Sequence, residues 1–581
     1  MKSRLFILFL LFPALLCWQS VSLFSQEKTK GKFGFFNGSK EKGEFPLEEN
    51  TLFVEGMREY MLGNFNSAIN YFEKVIQQNS KNDAAYYQIG LILFSQGFYN
   101  NALPYAQNAI SLDNRNEYYY QLLSNVYEAL LQFPDAIKII KKLIEEVSAS
   151  EEYLFELAGL YLYNSQPEEA LKTYNQIEKK IGLTPEVSLQ KQKIFLQLNR
   201  LDDAIITGEK LIEKFPAETD LLVKHAFLLF TNSRHEQAKV VYQKILEIEP
   251  SNHLAHLGLS EIYRGKGEFY NACKELEKVI INQQVDFETK ERILYNNLSF
   301  ITVDDSLRDL ILSMGETFVN QYLDNPRSHT LYGDLLYRAK RNDDALKSYL
   351  TASQFKNPPF QLWQQILLIE SELNRIDDLL NHSEQAIELY PNHPIILLFN
   401  GNANLQKKNY KKAIKSLERG AKLSSGDIQL FIQFYSLLGD AYNGTKMHEE
   451  SDSAYETVLR FERDNAHALN NYSYFLSLRG KNLEKAEEMG RRLVEYYPDN
   501  STYLDTYGWI LYKMQNYEKA KQFLEKAVSH SPNSVIVEHL GDILFRLNDK
   551  EGAFEYWLKA KQLGNGSEFL DKKISTRLLY E

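Results

Sequence analysis

The chain has 581 residues, of which 44% are hydrophobic and 25% are charged. Its 66 Lys and Arg residues and 77 Asp and Glu residues give a formal net charge of −11 at pH 7, and both signs are interspersed along the chain. The sequence therefore lacks the basic stripe that nucleic acid binding requires. Length alone suggests about four globular domains, unless the chain is built from repeats, because repeat arrays escape the size limit of a single core.

The first 25 residues carry the pattern of an export signal. Lys2 and Arg4 precede an unbroken apolar run over residues 5–16, and small polar residues follow, among them Ser22 and Ser25. A membrane-spanning helix needs about 20 apolar residues, and this run is shorter. We therefore expect a signal peptide over residues 1–25, cleaved near Ser22 or Ser25, with a transmembrane anchor as the alternative.

A third interpretation of the amino terminus is lipidation. Residues 14–17, Ala-Leu-Leu-Cys, loosely resemble a bacterial lipoprotein signal, which makes Cys17 a candidate lipidation site. Leu16 stands where such signals usually carry Gly, Ala or Ser. Residues 26–48 are rich in Lys, Gly and Glu without a helical period, and we expect them to form a flexible linker. Cleavage past Cys17 would leave Cys273 alone, so no internal disulfide could form.

From Glu49 onward the chain repeats every 34 residues. A small residue recurs at one phase in seven consecutive units, Gly56 and Gly90 lie twelve residues before it, and Pro216 and Pro250 close their units. The recurring residues are Ala68, Ala102, Ala136, Ala170, Ala204, Ala238 and Ala272. This period is typical of stacked helical hairpins. Residues 49–284 are therefore predicted to form an amino-terminal block of helix-turn-helix units.

The phase slips after Gln284 and later resumes. Residues 285–325 predict two amphipathic helices, 287–301 and 306–323, but the joint at residues 303–305 breaks the count. We expect an irregular helical pair and a bend here. Residues 326–563 then predict a carboxyl-terminal block, which makes about fifteen helical pairs in all. Residues 564–581 predict a capping helix, because the open end of a stack needs one.

The residue pattern within the units is specific. One early unit and one late unit carry most of the marker residues: Tyr86, Gly90, Gly97, Tyr99, Ala102 and Ala109, and then Leu504, Tyr507, Gly508, Tyr512, Tyr517, Ala520, Ala527 and Pro532. The pattern resembles the tetratricopeptide repeat, and the chain looks similar to exported and envelope proteins of that family in bacteria. The resemblance implies an all-α fold, a right-handed superhelical α-solenoid whose small residues let paired helices approach closely.

The sequence offers no catalytic constellation. It contains no phosphate-binding loop, no His-Glu-x-x-His motif and no Gly-x-Ser-x-Gly elbow. His253 and His256 are about one helical turn apart but have no evident third ligand, so we expect His256 to pack in the core. Cys273 follows a packing alanine and lacks a recognisable partner base. We therefore expect no enzyme activity, no cofactor and no metal site.

The inner groove that the resemblance implies is lined by the first helix of each unit. In the first four units the groove positions hold Phe53, Tyr60, Tyr87, Phe94, Tyr118, Phe155 and Tyr163. This aromatic strip is more apolar than a solvated face requires, and it would suit a peptide or a partner helix. The alternative is that these rings pack against the wall of the protein itself.

Towards the carboxyl end the same groove positions are polar. They hold Asn470, Tyr474, Asp505, Trp509, Tyr512, Lys513, Glu538, Asp542 and Arg546. This mixed lining predicts a polar recognition site for a partner. Family members that bind carboxylate-ended chaperone tails use several Lys, Arg and Asn residues, and Asn470 and Lys513 are similar to that lining. Three acids, Asp505, Glu538 and Asp542, argue against an anion clamp, so that function is not carried over.

These patterns predict a non-enzymatic scaffold that binds protein or peptide partners in the groove of the solenoid. The export signal and the resemblance point to the bacterial cell envelope, either the periplasm or the outer membrane, with membrane contact only through the signal or a lipid anchor. Two alternatives stay open. One is a lipid-anchored adaptor of an envelope assembly or secretion complex, and the other is a carrier of a glycan or lipid.

Overall fold

The computed structural model describes residues 47–424, 426–564 and 566–581. The predicted signal peptide, the candidate lipidation site Cys17 and the linker up to residue 46 lie outside the described residues. Within these ranges the chain forms 31 α-helices and one 3-10 helix, and no strand. The predicted all-α class is confirmed.

The helices fall into two compact units, one ending at Phe215 and the other beginning at Pro216. The helices of the first unit are α1 (Leu47–Met61), α2 (Phe65–Gln78), α3 (Asp83–Ser95), α4 (Tyr99–Leu112), α5 (Glu117–Ala129), α6 (Phe133–Glu146), α7 (Glu151–Tyr163), α8 (Pro167–Ile181), α9 (Pro185–Gln197) and α10 (Leu201–Lys214).

The second unit contains the remaining helices and the 3-10 helix Leu298–Thr302. Its α-helices are α11 (Thr219–Thr231), α12 (His235–Ile248), α13 (His253–Gly265), α14 (Phe269–Ile281), α15 (Phe287–Asn297), α16 (Asp305–Gln321), α17 (Pro326–Arg338), α18 (Asn342–Ser353), α19 (Phe360–Glu372), α20 (Ile376–Leu389), α21 (Pro394–Gln406), α22 (Tyr410–Leu423), α23 (Ile428–Gly444), α24 (His448–Phe461), α25 (Ala466–Arg479), α26 (Leu483–Tyr496), α27 (Ser501–Lys513), α28 (Tyr517–His530), α29 (Ser534–Arg546), α30 (Lys550–Leu563) and α31 (Leu570–Thr576).

The first thirty helices form fifteen successive pairs, and α31 follows the last pair. Within each unit every helix packs against the helices before and after it in the chain. Several helices also contact the helix two positions along the chain, in the adjacent pair. Packing between successive hairpins of this kind is typical of a stack. The prediction of an α-solenoid with about fifteen helical hairpins is therefore confirmed, because the two units together contain fifteen helical pairs. None of the helices in the described ranges combines the length and the apolar character needed to cross a membrane.

The helical pairs are held at close range by their small residues. All seven alanines that mark the period are buried, with exposed fractions of 0–2%. A Cβ atom on Gly333 would lie 2.6 Å from Tyr349 Cε1, and one on Gly439 would lie 2.6 Å from Tyr455 Cζ. Because real Cβ atoms do not approach so closely, only glycine lets these rings lie against the facing helix.

Many first helices begin at a side-chain cap. The side-chain oxygen of Asn82, for example, accepts a hydrogen bond from the backbone N–H of Ala85 at 2.9 Å. The same type of cap precedes other first helices, at Asn116, Thr184, Asn252, Asp286, Asn325, Asp427, Asn465, Asn500 and Asn533. Such caps satisfy backbone N–H groups that the first turn of a helix leaves without partners. They explain why the helices restart at a constant position in the repeat.

The slip in the repeat at residues 285–325 has a local structural cause. Helix α15 does not end in a tight turn but continues into the 3-10 helix Leu298–Thr302, and α16 follows with 17 residues. The Asp304 side chain accepts a hydrogen bond from the N–H of Leu307 at 2.9 Å, which fixes the start of α16. The irregular pair is thus a helical pair with a longer joint, while the predicted bend stays a prediction.

The turns inside the pairs share a left-handed residue. In every pair except the eighth, at least one turn residue has a positive φ: Gly63, Gly97, Leu131, Ser165, Asn199, Ser233, Gly267, Lys340, Asn374, Lys408, Lys446, Gly480 with Asn482, Gln515 and Asn548. A left-handed conformation costs a residue with a side chain about 1–2 kcal/mol. The exposed Leu131, at φ 58°, has no polar side chain to offset this strain.

We expect Leu131→Gly to raise the free energy of unfolding by about 0.5 kcal/mol, because relief of the strain exceeds the extra chain entropy of glycine. The matched change is Gly97→Leu, at the equivalent turn of the preceding pair, where φ is 82° and an added Cβ would meet no atom within 4 Å. That variant should lose about 1 kcal/mol through the backbone alone. Urea denaturation of the full chain measures the stability change of both variants. A loss of stability in Leu131→Gly would contradict the assignment of backbone strain to Leu131.

Candidate partner-binding surfaces

Seven aromatic side chains of the first unit lie on the first helices of its first four pairs. This aromatic row consists of Phe53 and Tyr60 on α1, Tyr87 and Phe94 on α3, Tyr118 on α5, and Phe155 and Tyr163 on α7. The 34-residue repeat returns Phe53, Tyr87 and Phe155 to one position of their first helices and Tyr60 and Phe94 to a second position. Tyr118 and Tyr163 lie at other positions of the repeat.

Two rings of the aromatic row are open to solvent. Tyr118 is 53% exposed and Tyr163 is 51% exposed. Tyr163 also stacks on Phe133, with ring centroids 5.6 Å apart and planes 11° apart, so its orientation is held while half of its surface stays free. Large rings that are already oriented lose little conformational entropy on binding, and tyrosine is common among the residues that dominate binding energy.

The other rings of the row are half-buried against the first unit itself. Tyr87 lies 5.0 Å from Tyr119 and Phe53 lies 5.3 Å from Phe72, measured between ring centroids. Burial raises the pKa of Tyr87 to about 12, and the nearby hydroxyls of Tyr60 and Tyr118 add to this shift. The structure thus places hydroxyls of three successive first helices near one another. A binding role for the row stays a prediction.

A buried ion cluster lies at the end of the second unit. Lys573 on α31, which is 3% exposed, donates from Nζ to Glu538 Oε1 at 2.9 Å and to Asp542 Oδ2 at 2.6 Å. Ser567 also donates to Glu538, and the Trp557 indole N–H donates to Asp542 at 2.8 Å. Burial raises the pKa of Asp542 to about 6, although Lys573 opposes the shift. The cluster joins α31 to α29.

Asp505 and Trp509 also face partners within the protein. Asp505 accepts a hydrogen bond from His539 at 2.8 Å, and the Trp509 ring lies between His539, at 4.1 Å, and Tyr512, at 4.7 Å. Burial opposes a charge on His539, but the carboxylates of Asp505, Asp542 and Glu538 together outweigh this effect and raise the pKa of the imidazole. Trp509 and Tyr512 are therefore buried aromatic side chains in this structure rather than open faces of a groove.

Tyr512, Lys513 and Arg546, which we call the tail site, hold the carboxylate of Glu581. Lys513 Nζ lies 3.0 Å from Glu581 Oε2, Arg546 Nη2 lies 2.9 Å from Oε1, and the Tyr512 hydroxyl donates to Oε1 as well. Burial opposes ionisation, but these hydrogen bonds outweigh it and lower the pKa of Glu581 to about 2. The three residues thus form an anion-binding site.

Asn470 and Tyr474 lie on α25, in the preceding pair. The Asn470 amide donates to Asn471 at 2.9 Å, whereas Asn470 Oδ1 is buried without a hydrogen-bond partner among the described residues. Burial raises the pKa of Tyr474, and the nearby carboxylate of Asp505 adds to the shift. Tyr474 thus lies near Asp505. Neither Asn470 nor Tyr474 contributes a hydrogen bond to Glu581.

The acids that argued against an anion clamp all have partners within the protein. Glu538 and Asp542 share Lys573, and Asp505 is paired with His539. Each acid therefore already has a cationic or imidazole partner. This leaves the cations Lys513 and Arg546 available for the carboxylate of Glu581.

Two side chains that the sequence analysis considered for chemistry, His256 and Cys273, lie among the described residues. Both ring nitrogens of His256 are engaged, one by Glu275 at 2.6 Å and one by the carbonyl of Pro250 at 2.9 Å. Burial raises the pKa of Cys273, which disfavours the reactive thiolate. Among the residues that the structure describes, no three His, Cys, Asp or Glu side chains are arranged to hold a metal ion.

Sequence reasoning missed Lys573 and Glu581. Both follow the repeat array, outside the motif positions that signal a groove residue, and Glu581 lies 68 residues beyond Lys513. The one available signal was the charge of the groove positions on α27 and α29, where buried acids require a cation. That signal predicts a partner for Glu538 and Asp542 but does not identify it.

Comparison with known sequences matches tetratricopeptide repeat models to residues 53–117, 432–465 and 501–534. The chain is a tetratricopeptide repeat (TPR) protein. The third match covers α27 and α28, whose first helix carries Trp509, Tyr512 and Lys513. TPR solenoids are typically non-catalytic scaffolds that bind proteins or peptides, and the repeats of this chain indicate a protein-interaction scaffold in this general sense.

Two relatives show how far the likeness of this TPR protein extends. A TPR repeat-containing protein of Pseudomonas aeruginosa is 28% identical over 185 residues, which is 32% of this chain and 30% of the relative. A human protein O-mannosyl-transferase is 23% identical over 351 residues, which is 56% of this chain and 37% of the relative. The chain thus spans about a third of the length of these curated relatives, so the transferase activity in the human protein's name is not transferred.

Two solved structures are also similar to the TPR protein. Yeast Tom70 aligns with 15% identity and a TM-score of 0.32 over 74% of this chain and 94% of that chain. The Cut9–Hcn1 hetero-tetramer of the APC/C aligns with 15% identity and a TM-score of 0.32 over 80% of this chain and 97% of that chain. Similarity at this level does not bear on the function of the TPR protein.

Proposed function

We propose that this TPR protein is a scaffold of the bacterial cell envelope whose aromatic row binds a peptide or a partner protein. The observation that carries the proposal is the half exposure of Tyr118 and Tyr163 on α5 and α7, within a row of rings on successive first helices. Oriented tyrosines offer a large contact area and a hydroxyl for hydrogen bonding. They therefore suit a peptide that carries both apolar and polar groups.

The rings of the row differ in burial, which supports two different roles for them. Phe53, Tyr87 and Phe94 pack on rings of the first unit, at centroid distances of 5.3, 5.0 and 5.5 Å. These rings stiffen the surface, while Tyr118 and Tyr163 supply the exposed area. A preformed surface of this kind limits the entropy that binding costs, because few side chains need to be ordered.

Export is the second part of the proposal. It is supported by the apolar run and small polar exit of residues 1–25. The lipid-anchored adaptor remains the alternative because Cys17 follows a loosely lipoprotein-like sequence. A glycan or lipid carrier is a further candidate. It would be favoured by an apolar ligand that co-purifies with the protein.

The double variant Tyr118→Ala, Tyr163→Ala tests the binding surface. We expect at least a tenfold loss of partner capture from cells, since two ring truncations at a binding hot spot cost about 2 kcal/mol or more. The melting temperature should change little, because both rings are half exposed. The matched control is Tyr295→Ala, a 63% exposed tyrosine of the second unit, which should capture the partner like the parent.

The outcomes separate the alternatives. Unchanged capture by a folded double variant would contradict the role of the aromatic row. Loss of folding would show that Tyr118 and Tyr163 are needed for the fold itself.

Mass spectrometry of the TPR protein from the same preparation tests export. A chain that starts within residues 22–27 is expected, an acylated Cys17 would establish the lipid-anchored form, and an intact Met1 would contradict export.

A further inference from the structure

The side chains of the tail site lie on two first helices, α27 and α29, and they also contact residues other than Glu581. Arg546 on α29 donates from Nε to the Tyr512 hydroxyl on α27 at 3.2 Å, and Lys513 Nζ lies 5.0 Å from the centre of the buried Trp509 ring. These contacts help to orient the guanidinium and the ammonium group, and neither contact involves Glu581. The side chains of the site are therefore arranged to receive an anion.

The tail segment, residues 577–581, follows α31 and lies over this site. Arg577 leaves the helix with a φ of 55°, which redirects the chain, and its guanidinium lies 4.1 Å from the centre of the Phe554 ring. Lys572 lies 4.0 Å from the Tyr580 ring centre. Leu578 is exposed, and Leu579 is only partly buried. Exposed ring and cation contacts are individually weak, and the Arg577–Glu551 ion pair, at 3.4 Å, is exposed as well. Residues 577–580 are therefore weakly held, and Glu581 supplies the strongest contacts of the segment.

The chemistry of the site identifies the class of its ligand. Glu581 uses both carboxylate oxygens, one bound by Tyr512 and Arg546 and the other by Lys513. Three donors that converge on the two oxygens of one group match an acidic side chain. Glu581 reaches the site as part of a peptide segment, beside a cleft lined by Phe545, Arg546 and residues 578–581. The ligand class that matches this occupant is an acidic side chain carried on a peptide.

We propose that the tail segment is an internal competitor, whose Glu581 closes the tail site against an acidic side chain of a partner peptide. A short tether gives the bound residue an effective concentration in the millimolar range. A weak acidic peptide would therefore bind poorly until the segment is displaced. This regulation is separate from the aromatic row of the first unit, and neither proposal depends on the other.

The test uses a peptide of residues 576–581, Thr-Arg-Leu-Leu-Tyr-Glu, labelled at its amino end and amidated at its carboxyl end, so that its one carboxylate is the glutamate side chain. Fluorescence anisotropy compares its binding to the full chain and to Glu581→Gln. We expect the variant to bind it about tenfold more tightly, because the competitor has lost its charge. A peptide with Gln in place of Glu should bind neither protein detectably.

Two further variants make the result specific. Adding Arg546→Gln to Glu581→Gln should abolish the gain in affinity, and since Arg546 is exposed the fold should persist, as circular dichroism can verify. Glu555→Gln removes another exposed acid, on α30, and should behave like the parent. Equal affinity of the parent and Glu581→Gln, absence of binding to both, or equal binding of the Gln peptide would each overturn the proposal.

Discussion

Lys573→Met should lower the free energy of unfolding of the second unit by about 3–5 kcal/mol, the usual cost of removing one partner from a buried ion pair. Lys573 is 3% exposed, and its ammonium group contacts both Glu538 and Asp542 within 2.9 Å. Without it, two carboxylates would share a buried site with no cation. Methionine keeps most of the side-chain volume, so the loss reports on charge rather than on a cavity.

Urea denaturation of the full chain, followed by circular dichroism, measures this loss. The matched control is Lys559→Met, at an exposed position on α30, which should stay within about 0.5 kcal/mol of the parent. Adding Glu538→Gln and Asp542→Asn to Lys573→Met should recover much of the stability, because the buried charges are then gone. A single variant as stable as the parent, or a triple variant no better than the single one, would contradict the ion-cluster account.

The loss should also depend on pH. Burial raises the pKa of Asp542 to about 6 in the folded protein, above the value of about 3.9 for an unperturbed aspartate. The neutral carboxyl is thus favoured by folding, and this contribution is present at low pH and lost as the pH rises through 6. Lys573 opposes this shift, so its removal raises the pKa of Asp542 further and makes the neutral carboxyl more favourable. We therefore expect Lys573→Met to be less destabilising at pH 5, where Asp542 of the variant is neutral, than at pH 7. A larger destabilisation at pH 5 than at pH 7 would contradict the role of Asp542 in the buried ion cluster.

Ala520→Arg should cost at least about 3 kcal/mol, because it combines overpacking with the burial of a charge. Ala520 is fully buried on α28 and faces Gly508 on α27. A Cβ on Gly508 would lie 3.4 Å from the Ala520 carbonyl oxygen and would collide with Leu524. The two helices are therefore in close contact at this point, and Ala520 has no exposed surface towards which an arginine could extend.

Hydrogen exchange of the Ala520→Arg protein locates the damage. We expect faster exchange in α27 and α28, and unchanged protection in helices of the first unit, because a repeat contacts only its neighbours. Lys519→Arg, at the adjacent exposed position, is the matched control and should melt like the parent. An Ala520→Arg protein that melts like the parent would show that the assigned repeat register is wrong.

The hairpin stack could be predicted because its information is local. Each alanine of the 34-residue period is buried where two helices meet, and the same requirement for a small residue returns in each of these seven repeats. The left-handed turn residue could not be predicted in the same way. Residues as different as Gly97, Leu131 and Lys340 occupy it, because the turn demands a backbone conformation at an exposed position and tolerates many side chains.

The candidate sites were harder to predict than the fold. Motif positions identified the aromatic row, but its graded burial depends on neighbours such as Tyr119, which lies 5.0 Å from Tyr87. Motif positions likewise identified Lys513 and Arg546, but not the residue that they bind. Glu581 follows the repeats, and contacts across 68 residues leave no periodic signal in the sequence. Pairing of the acids with Lys573 was hidden for the same reason.

The most direct test of the scaffold account is photo-crosslinking in living cells, with a photoreactive amino acid placed at the position of Tyr118. The account predicts one dominant crosslinked partner protein, and the same partner from the position of Tyr163. The matched control position is Lys138, exposed on the second helix of the same pair, α6, which should not crosslink to that partner. Equal crosslinking from Lys138, or none from Tyr118 and Tyr163 in a folded protein, would contradict the account.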